Sequence, residues 1–170
     1  NNSKEKLNLP KEKTILLFFG MIKKVKGLEI LLEAFKKVVD TNSDIVLLIA
    51  GKPWENDFDE YQKIIDRNNL SKYIILHTKF IPHEDVAHYY CASDLVVLPY
   101  KKIYQSGVLM MTLSYERPAI ASNLPSIMEV ISDNENGFLF ETENSNDLYD
   151  KLIQILADKK NLEIVRKKGI

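Results

Sequence analysis

Residues 14–35 read TILLFFGMIKKVKGLEILLEAF, and this stretch decides the fold. Residues 15–19 form an unbroken apolar run of strand length, with no polar position to mark a solvent-facing side. A strand without a polar face is buried on both sides, as in a parallel sheet covered by helices. After Gly20 the chain turns basic through Lys23, Lys24 and Lys26. Beyond Gly27 the apolar residues Leu28, Leu31, Leu32, Phe35, Val38 and Val39 recur at the i, i+3, i+4, i+7 spacing of a helix with one buried stripe. A buried strand, a basic turn and an amphipathic helix make the first half of a parallel crossover.

The same alternation continues outward. Short apolar runs at residues 45–50, 73–76, 95–98, 119–121 and 138–140 read as further buried strands. Between them lie helical stripes: Phe58, Tyr61, Ile64 and Ile65, then Val86, Tyr89 and Tyr90. Residues 108–113 are apolar nearly all round, and Leu148, Leu152, Ile155 and Leu156 form a late amphipathic helix capped by Ser145 or Asn146. A last helical pattern covers residues 162–168, with Gly169 its only terminator. Strand and helix alternating in this way predict an α/β fold. The expected form is a doubly wound, Rossmann-like parallel sheet of about six strands with helices on both faces. Residues 1–13 are polar and Lys-rich and read as a linker or remnant, leaving residues 14–170 as one domain. The chain opens on Asn rather than Met, so a piece of something longer is expected.

Composition narrows the classes. The chain has 170 residues, 45% of them hydrophobic and 28% charged, with six Gly and six Pro, which excludes a disordered segment and fits one ordinary domain. Lys and Arg total 23 against 24 Asp and Glu, a formal net charge of −1, which removes the basic field of a dedicated nucleic-acid binder. One cysteine, Cys91, allows no internal disulfide and no Cys-based zinc site, and suits a reducing compartment. No apolar run approaches the ~20 residues that span a bilayer. No signal-peptide core opens the chain.

Ligands of an open parallel sheet bind at the carboxyl ends of its strands. The first such loop, residues 20–27, is neither a G-x-G-x-x-G fingerprint nor a Walker loop, because its lysines precede Gly27 and no Ser or Thr follows. It does place Lys23 and Lys26 on the same edge as the Ser106-Gly107 turn after the fourth strand. A hydroxyl residue and a glycine that open a helix leave backbone N–H groups free for a phosphate, and two lysines supply the charge a diphosphate requires. Taken alone, a Lys-rich loop is more often the ordinary dress of a solvated surface.

These residues carry a family resemblance. Phe18-Phe19-Gly20-Met21-Ile22-Lys23-Lys24-Val25-Lys26-Gly27-Leu28, followed by Leu31-Leu32-Glu33-Ala34-Phe35, resembles the opening of the C-terminal domain of family 4 glycosyltransferases, also called glycosyl transferases group 1. The likeness continues in order through Ala50-Gly51, Ile81-Pro82, residues 92–100, Gln105-Ser106-Gly107-Val108, Arg117-Pro118, Glu129-Val130-Ile131 and Asn136-Gly137-Phe138. Such enzymes are retaining and of GT-B fold, and this chain resembles their nucleotide-sugar-binding half. The resemblance implies that Lys23 and Lys26 hold the donor diphosphate, with Ser106 and Gly107 giving backbone N–H groups to its distal phosphate. It implies that Lys79, Phe80 and Ile81 edge the nucleobase. Around the donor sugar it implies Gln105, Pro125, Ser126 and Glu129, while Tyr100 and Tyr104, which flank the phosphate turn, are candidates to line the pocket. The donor is expected to be UDP- or GDP-linked and no metal to be required, the lysines and the helix dipole replacing a cation. The acceptor would be held by an N-terminal domain of the same full-length protein, through which a peripheral membrane contact would be made. The location implied is cytoplasmic, or at the inner face of the membrane.

The chain departs from the family where two glutamates eight positions apart usually stand: those positions are Ile103 and Met111. The usual Gly-Gly after the fifth strand is Pro125-Ser126, and a basic residue often found after the first glycine is Met21. Donor binding is therefore expected before turnover, and the isolated domain is expected to be inactive alone. Two readings remain: the donor half of an enzyme that moves a hexose to a polysaccharide or glycolipid, or a degenerate, non-catalytic module serving binding or assembly. A receiver-like regulatory domain would need acidic residues after the first strand, where this chain is basic. Glu129 is open to a second explanation as an acid serving a helix dipole. Trp54 is read as packing, Met110 and Met111 as core, Cys91 as a buried hydrophobe, and His77, His83 and His88 fit no metal spacing.

Overall fold

The apolar runs become six strands: β1 Thr14–Phe19, β2 Ile45–Ala50, β3 Ile74–His77, β4 Leu95–Leu98, β5 Ala119–Ser122 and β6 Phe138–Phe140. They form one sheet in the order β3-β2-β1-β4-β5-β6, with every pairing parallel. The computed structural model describes residues 2–168. Its helices are α1 Asn2–Lys6, α2 Leu28–Thr41, α3 Asp59–Arg67, α4 His83–Ala92, α5 Gly107–Ser114, α6 Pro125–Met128, α7 Ser145–Ala157 and α8 Lys159–Lys168. This is the doubly wound α/β architecture that the alternation predicts.

The strand period of two sorts the core into two layers. Leu16 and Phe18 of β1, with Leu47 and Ile49 of β2, face the buried stripes of α2 and α7. Ile15, Leu17 and Phe19 point the other way, toward Tyr89 and Tyr90 of α4 and Leu109 of α5. Every member of the expected α2 stripe is buried. Each large side chain so placed contributes about 1.5–3 kcal/mol relative to exposure. The order of the strands reverses between β1 and β4, the point at which open parallel sheets bind their ligands.

At the opposite edge, Asp94 fixes the register of these same two strands. Its backbone N–H donates to the Ile15 carbonyl at 2.9 Å, while its carboxylate accepts from the Ile15 N–H at 2.8 Å.

Residues 1–13, expected as a linker, are instead part of the folded unit in their described portion. Helix α1 packs against α4, and Leu7 and Leu9 enter the second core layer. Lys4 is only 9% exposed; its ammonium donates to the carbonyls of Lys13 (2.8 Å) and Lys11 (3.3 Å) and stands 3.9 Å from the Asp94 carboxylate. The α7 cap is also shifted: it is Asn144, whose side chain accepts from the Asp147 N–H at 2.9 Å, rather than Ser145 or Asn146. Helix α8 begins at Lys159, earlier than the pattern from residue 162 suggests. Gly169, read as its terminator, lies outside the described residues. Cys91 is half-buried rather than fully buried.

The Lys4 contacts make a stability test. Replacing Lys4 by Met keeps the apolar stem and removes the donors, and is expected to cost about 1 kcal/mol because two partly buried hydrogen bonds are lost. A thermal melt reads this as a lowered Tm. An unchanged Tm would return residues 2–13 to the role of a passive linker.

Candidate functional site

The site grows from the turn that follows β1. Ile22 bridges to Pro53 as a short extension of the sheet, with the Ile22 N–H donating to Lys52 and the Trp54 N–H to Ile22. Residues Lys24–Lys26 then make one 3-10 turn that ends at Gly27, in the left-handed region at φ 67°. A Cβ at Gly27 would stand 1.9 Å from the carbonyl oxygen of Pro99, so only glycine lets this loop close onto the end of β4. The closure is fastened twice more. The Lys101 N–H donates to the Val25 carbonyl at 2.8 Å, and the Lys101 ammonium pairs with Glu29 in the first turn of α2. The loops after β1 and β4 are thus tied together across the point where the strand order reverses.

Both expected lysines rest on aromatic rings. The Lys23 ammonium lies 4.3 Å from the ring centre of Trp54, and that of Lys26 lies 4.3 Å from the ring centre of Tyr100. Partial burial and the neighbouring charge of Lys23, in that order, lower the pKa of Lys26 below the ordinary lysine range. Such a cation lacks an anion in its own shell and gains by meeting one.

Beyond Tyr100 the chain leads into the first turn of α5. Ser106 caps this helix, its Oγ accepting from the Leu109 N–H at 3.0 Å, and its carbonyl accepts from the Met110 N–H at 3.2 Å. The N–H groups of Gly107 and Val108 precede the first carbonyl within helical reach, which leaves them as donors at the positive end of the helix. A Cβ on Gly107 would meet nothing within 4 Å, so the space before this turn is open. A Cβ on Gly20 would lie 3.1 Å from Val108, which sets the turn beside the end of β1.

Next to this turn is a cleft of about 510 Å³ between α5 and α6. It brings together Tyr104, Gln105, Ser106, Gly107, Ser126 and Glu129, all expected from the sequence. An adjoining hollow of about 420 Å³ adds Pro125 and shares Tyr104, Ser126 and Glu129. Lys23 lines a separate hollow with Trp54. Lys79, Phe80 and Ile81 lie on the loop after the edge strand β3, outside the α5–α6 cleft, with Phe80 74% exposed.

Some expectations change. Tyr100, a candidate to line the pocket, is 1% exposed and packs into the second core layer beneath Lys26. Met110, expected in the core, is 56% exposed and lines the cleft; it follows Ser106 by one helical turn, a spacing that already puts the two on one face. Met111 does pack against the core. Glu129 caps the C-terminal end of α6, where a helix dipole disfavours an acid, so the dipole does not explain it. Among the described residues it is the one charged side chain lining the cleft. Trp54 is 53% exposed and serves as the seat of Lys23. Ile103 was noted only as a lost carboxylate, yet it forms part of the cleft wall and its carbonyl accepts from Ser126 Oγ at 2.9 Å. Among the described residues no group of three or more His, Cys, Asp or Glu is placed to hold a metal ion. His77 hydrogen-bonds the Tyr89 hydroxyl at 2.9 Å, and His88 contacts Ser3 and Lys6 of α1.

The lowered pKa of Lys26 fixes a sign for anion binding. An anion favours the charged lysine, so binding is full below the lowered pKa and weakens as pH rises through it, ahead of an ordinary lysine. Titration of inorganic pyrophosphate against pH is expected to show this alkaline loss, and Lys26→Ala to flatten it. A pH-independent affinity would detach Lys26 from the anion.

The description "Glycosyl transferases group 1" belongs to a family model that matches residues 1–170. A lipopolysaccharide 1,2-N-acetylglucosaminetransferase of Salmonella typhimurium is 27% identical over 98% of this chain and 45% of its own length. A GDP-mannose:glycolipid 4-beta-D-mannosyltransferase of Xanthomonas campestris is 30% identical over 78% of this chain and 37% of its own. The chain therefore spans less than half the length of these relatives. The C-terminal domain of a group 1 glycosyl transferase from Francisella tularensis superposes with a TM-score of 0.87, 24% identity and coverage of 99% of this chain and 87% of that one. Anabaena HepE, solved with UDP and glucose, superposes at 0.88 with 19% identity, over 99% of this chain and 45% of its own. Among the described residues no helix is long and apolar enough to cross a membrane. The matched model and the shared parallel sheet lead to one conclusion: the chain belongs to the group 1 glycosyltransferase family, with the fold of the C-terminal domain of a GT-B enzyme.

Proposed function

We propose that this chain is the nucleotide-sugar-binding half of a glycosyltransferase that moves a hexose, with retention, to a polysaccharide or glycolipid acceptor. One observation carries the reading: the turn that bears Lys26 closes onto the end of β4, where the strand order reverses, and the chain leaves β4 for the Ser106-capped start of α5 beside an open cleft. In this reading the donor diphosphate bridges the two. Lys26 and Lys23 neutralise its charge, and the N–H groups of Gly107 and Val108 bond the distal phosphate. The sugar enters the α5–α6 cleft among Gln105, Ser126 and Glu129, with Tyr104 and Pro125 at its rim. Lys79, Phe80 and Ile81 border the nucleobase, two strands away from β1 in the sheet.

When the glycosidic bond to phosphate breaks, negative charge grows on the leaving nucleoside diphosphate. Fixed donors and cations already aimed at that charge lower the barrier without reorganising. The lysines and the α5 dipole supply this charge here, so the reading needs no divalent metal. The known complex of the Anabaena neighbour with UDP and glucose supports a nucleoside diphosphate as the ligand class. The share of each relative left unmatched supports a separate acceptor domain of the same protein. A single cysteine and the use of an activated sugar support work in the cytoplasm, at the inner face of a membrane where the acceptor is a lipid.

A second reading is favoured by Ile103 and Met111. With apolar residues in both places, the carboxylate supply of the cleft falls to Glu129, and a donor-binding module without turnover is the alternative.

Calorimetric titration with UDP, GDP and their sugars, in the presence of EDTA, tests the first reading. Binding of one base with its diphosphate is expected without a divalent ion. A folded sample that binds none of them at millimolar ligand would overturn it. For the full-length protein, the anomeric configuration of the product by NMR decides retention. Binding without any transfer or hydrolysis would instead establish the module.

A further inference from the structure

The lysines of the site differ from their neighbours on the same two loops in what they rest on. Lys24 stands 3.9 Å from Glu60, and Lys101 is paired with Glu29. Lys23 and Lys26 pair with no carboxylate among the described residues; each ammonium lies instead 4.3 Å from the centre of an aromatic ring, that of Trp54 and of Tyr100 respectively. For Lys23 this is not for want of acids, because Glu55, Asp57 and Glu60 line the same hollow as Lys23 and Trp54. A ring face attracts an ammonium through its quadrupole but carries no net charge. A carboxylate would neutralise Lys23, whereas the ring holds it with its charge undiminished.

Trp54 is fixed from both sides. Before it, Ile22 and Pro53 bridge the loops after β1 and β2, and the Trp54 N–H donates at 2.9 Å to the carbonyl of Ile22, the residue next to Lys23. After it, Glu55 and Asn56 both stand in the left-handed region, at φ 55° and 58°, and the Asp57 N–H closes the turn on the Trp54 carbonyl at 3.1 Å. Successive non-glycine residues in that region cost free energy and persist where their surroundings over-determine them. The outcome is a large ring, 53% exposed on the carboxyl edge of the sheet, with a cation on its face. We propose that Trp54 is a positioning residue for the donor diphosphate: its ring holds the Lys23 ammonium off Glu55, Asp57 and Glu60, so that the lysine meets an incoming phosphate as an unpaired cation. An ion-paired lysine must first give up its carboxylate, which then repels the anion. The inference rests on the donor-site reading above.

The test is calorimetric titration of the chain and its variants with inorganic pyrophosphate, which has no ring of its own to stack on Trp54, and with UDP and GDP alongside. Trp54→Leu is expected to weaken pyrophosphate binding about two- to fivefold, the worth of one partly exposed cation–π contact. It is also expected to lower the salt dependence, since one cation fewer meets the anion. Trp54→Phe keeps a ring and is expected to restore most of the affinity. Tm is expected to hold in both variants, because the side chain is half-exposed. In the Lys23→Ala background Trp54→Leu is expected to have no further effect. In a background of Glu55→Gln, Asp57→Asn and Glu60→Gln its effect is expected to vanish as well, because no competing carboxylate remains. A Trp54→Leu loss that survives in either background would overturn the proposal, since the ring would then act other than through Lys23. Wild-type affinity in Trp54→Leu or in Lys23→Ala would overturn it too and, where Lys26→Ala is impaired, leave the donor site standing. A folded wild type that binds none of pyrophosphate, UDP and GDP at millimolar ligand would overturn the donor-site reading, and this proposal with it.

Discussion

The closure of the β1–α2 loop onto the end of β4 is the constraint on which the site depends. Gly27 sits where a Cβ would collide with the Pro99 carbonyl, and the Lys101 backbone and side chain fasten the same contact to Val25 and Glu29. Without that closure, Lys26 would hang from a surface loop and Tyr100 would be an exposed residue after a strand. With it, Tyr100 is roofed over and Lys26 is drawn partly out of water, its ammonium over the Tyr100 ring. A lysine held in this way has lost hydration that an anion can replace. Its depressed pKa and its place on the ring are two consequences of one packing event.

A formal net charge of −1 says little about such a site. The total hides a local imbalance, with Lys23, Lys24 and Lys26 within four residues on the carboxyl edge of the sheet. Local placement decides because charges separated by more than about 10 Å are screened from one another in ordinary salt. Acidic residues stand close by as well: Glu29 is engaged with Lys101, Glu60 is 3.9 Å from Lys24, and Glu55 and Asp57 line the same hollow as Lys23 and Lys24.

The sheet and its two helical layers were legible in the sequence for a simple reason. Strands buried on both faces must be apolar throughout, and the α2 and α7 stripes are long enough to show their period. What was not legible depends on contacts between distant segments. Helix α1 is one short turn with too few apolar residues to display a period, and its order comes from Lys4 reaching the Lys13 carbonyl and from Lys6 reaching Asp85 and His88. Tyr100 follows a strand and precedes a polar loop, so its burial cannot be read without the Gly27 closure. Glu129 matched a family position, but its exclusion from a dipole role needed the end of α6 to be known. Met110 is different: its i, i+4 spacing from Ser106 places it on the cleft face, although residues 108–113 are apolar nearly all round and resemble a buried helix.

Amide-resolved NMR of the chain titrated with UDP or GDP, in the presence of EDTA, tests the central claim most directly. The account predicts that the amides of Gly107 and Val108 shift together with the Lys26 ammonium signal, at a common affinity, while residues near Lys4 and Asp94 at the opposite edge stay fixed. Shifts confined to other surfaces, or none in a folded sample at millimolar nucleotide, would contradict it.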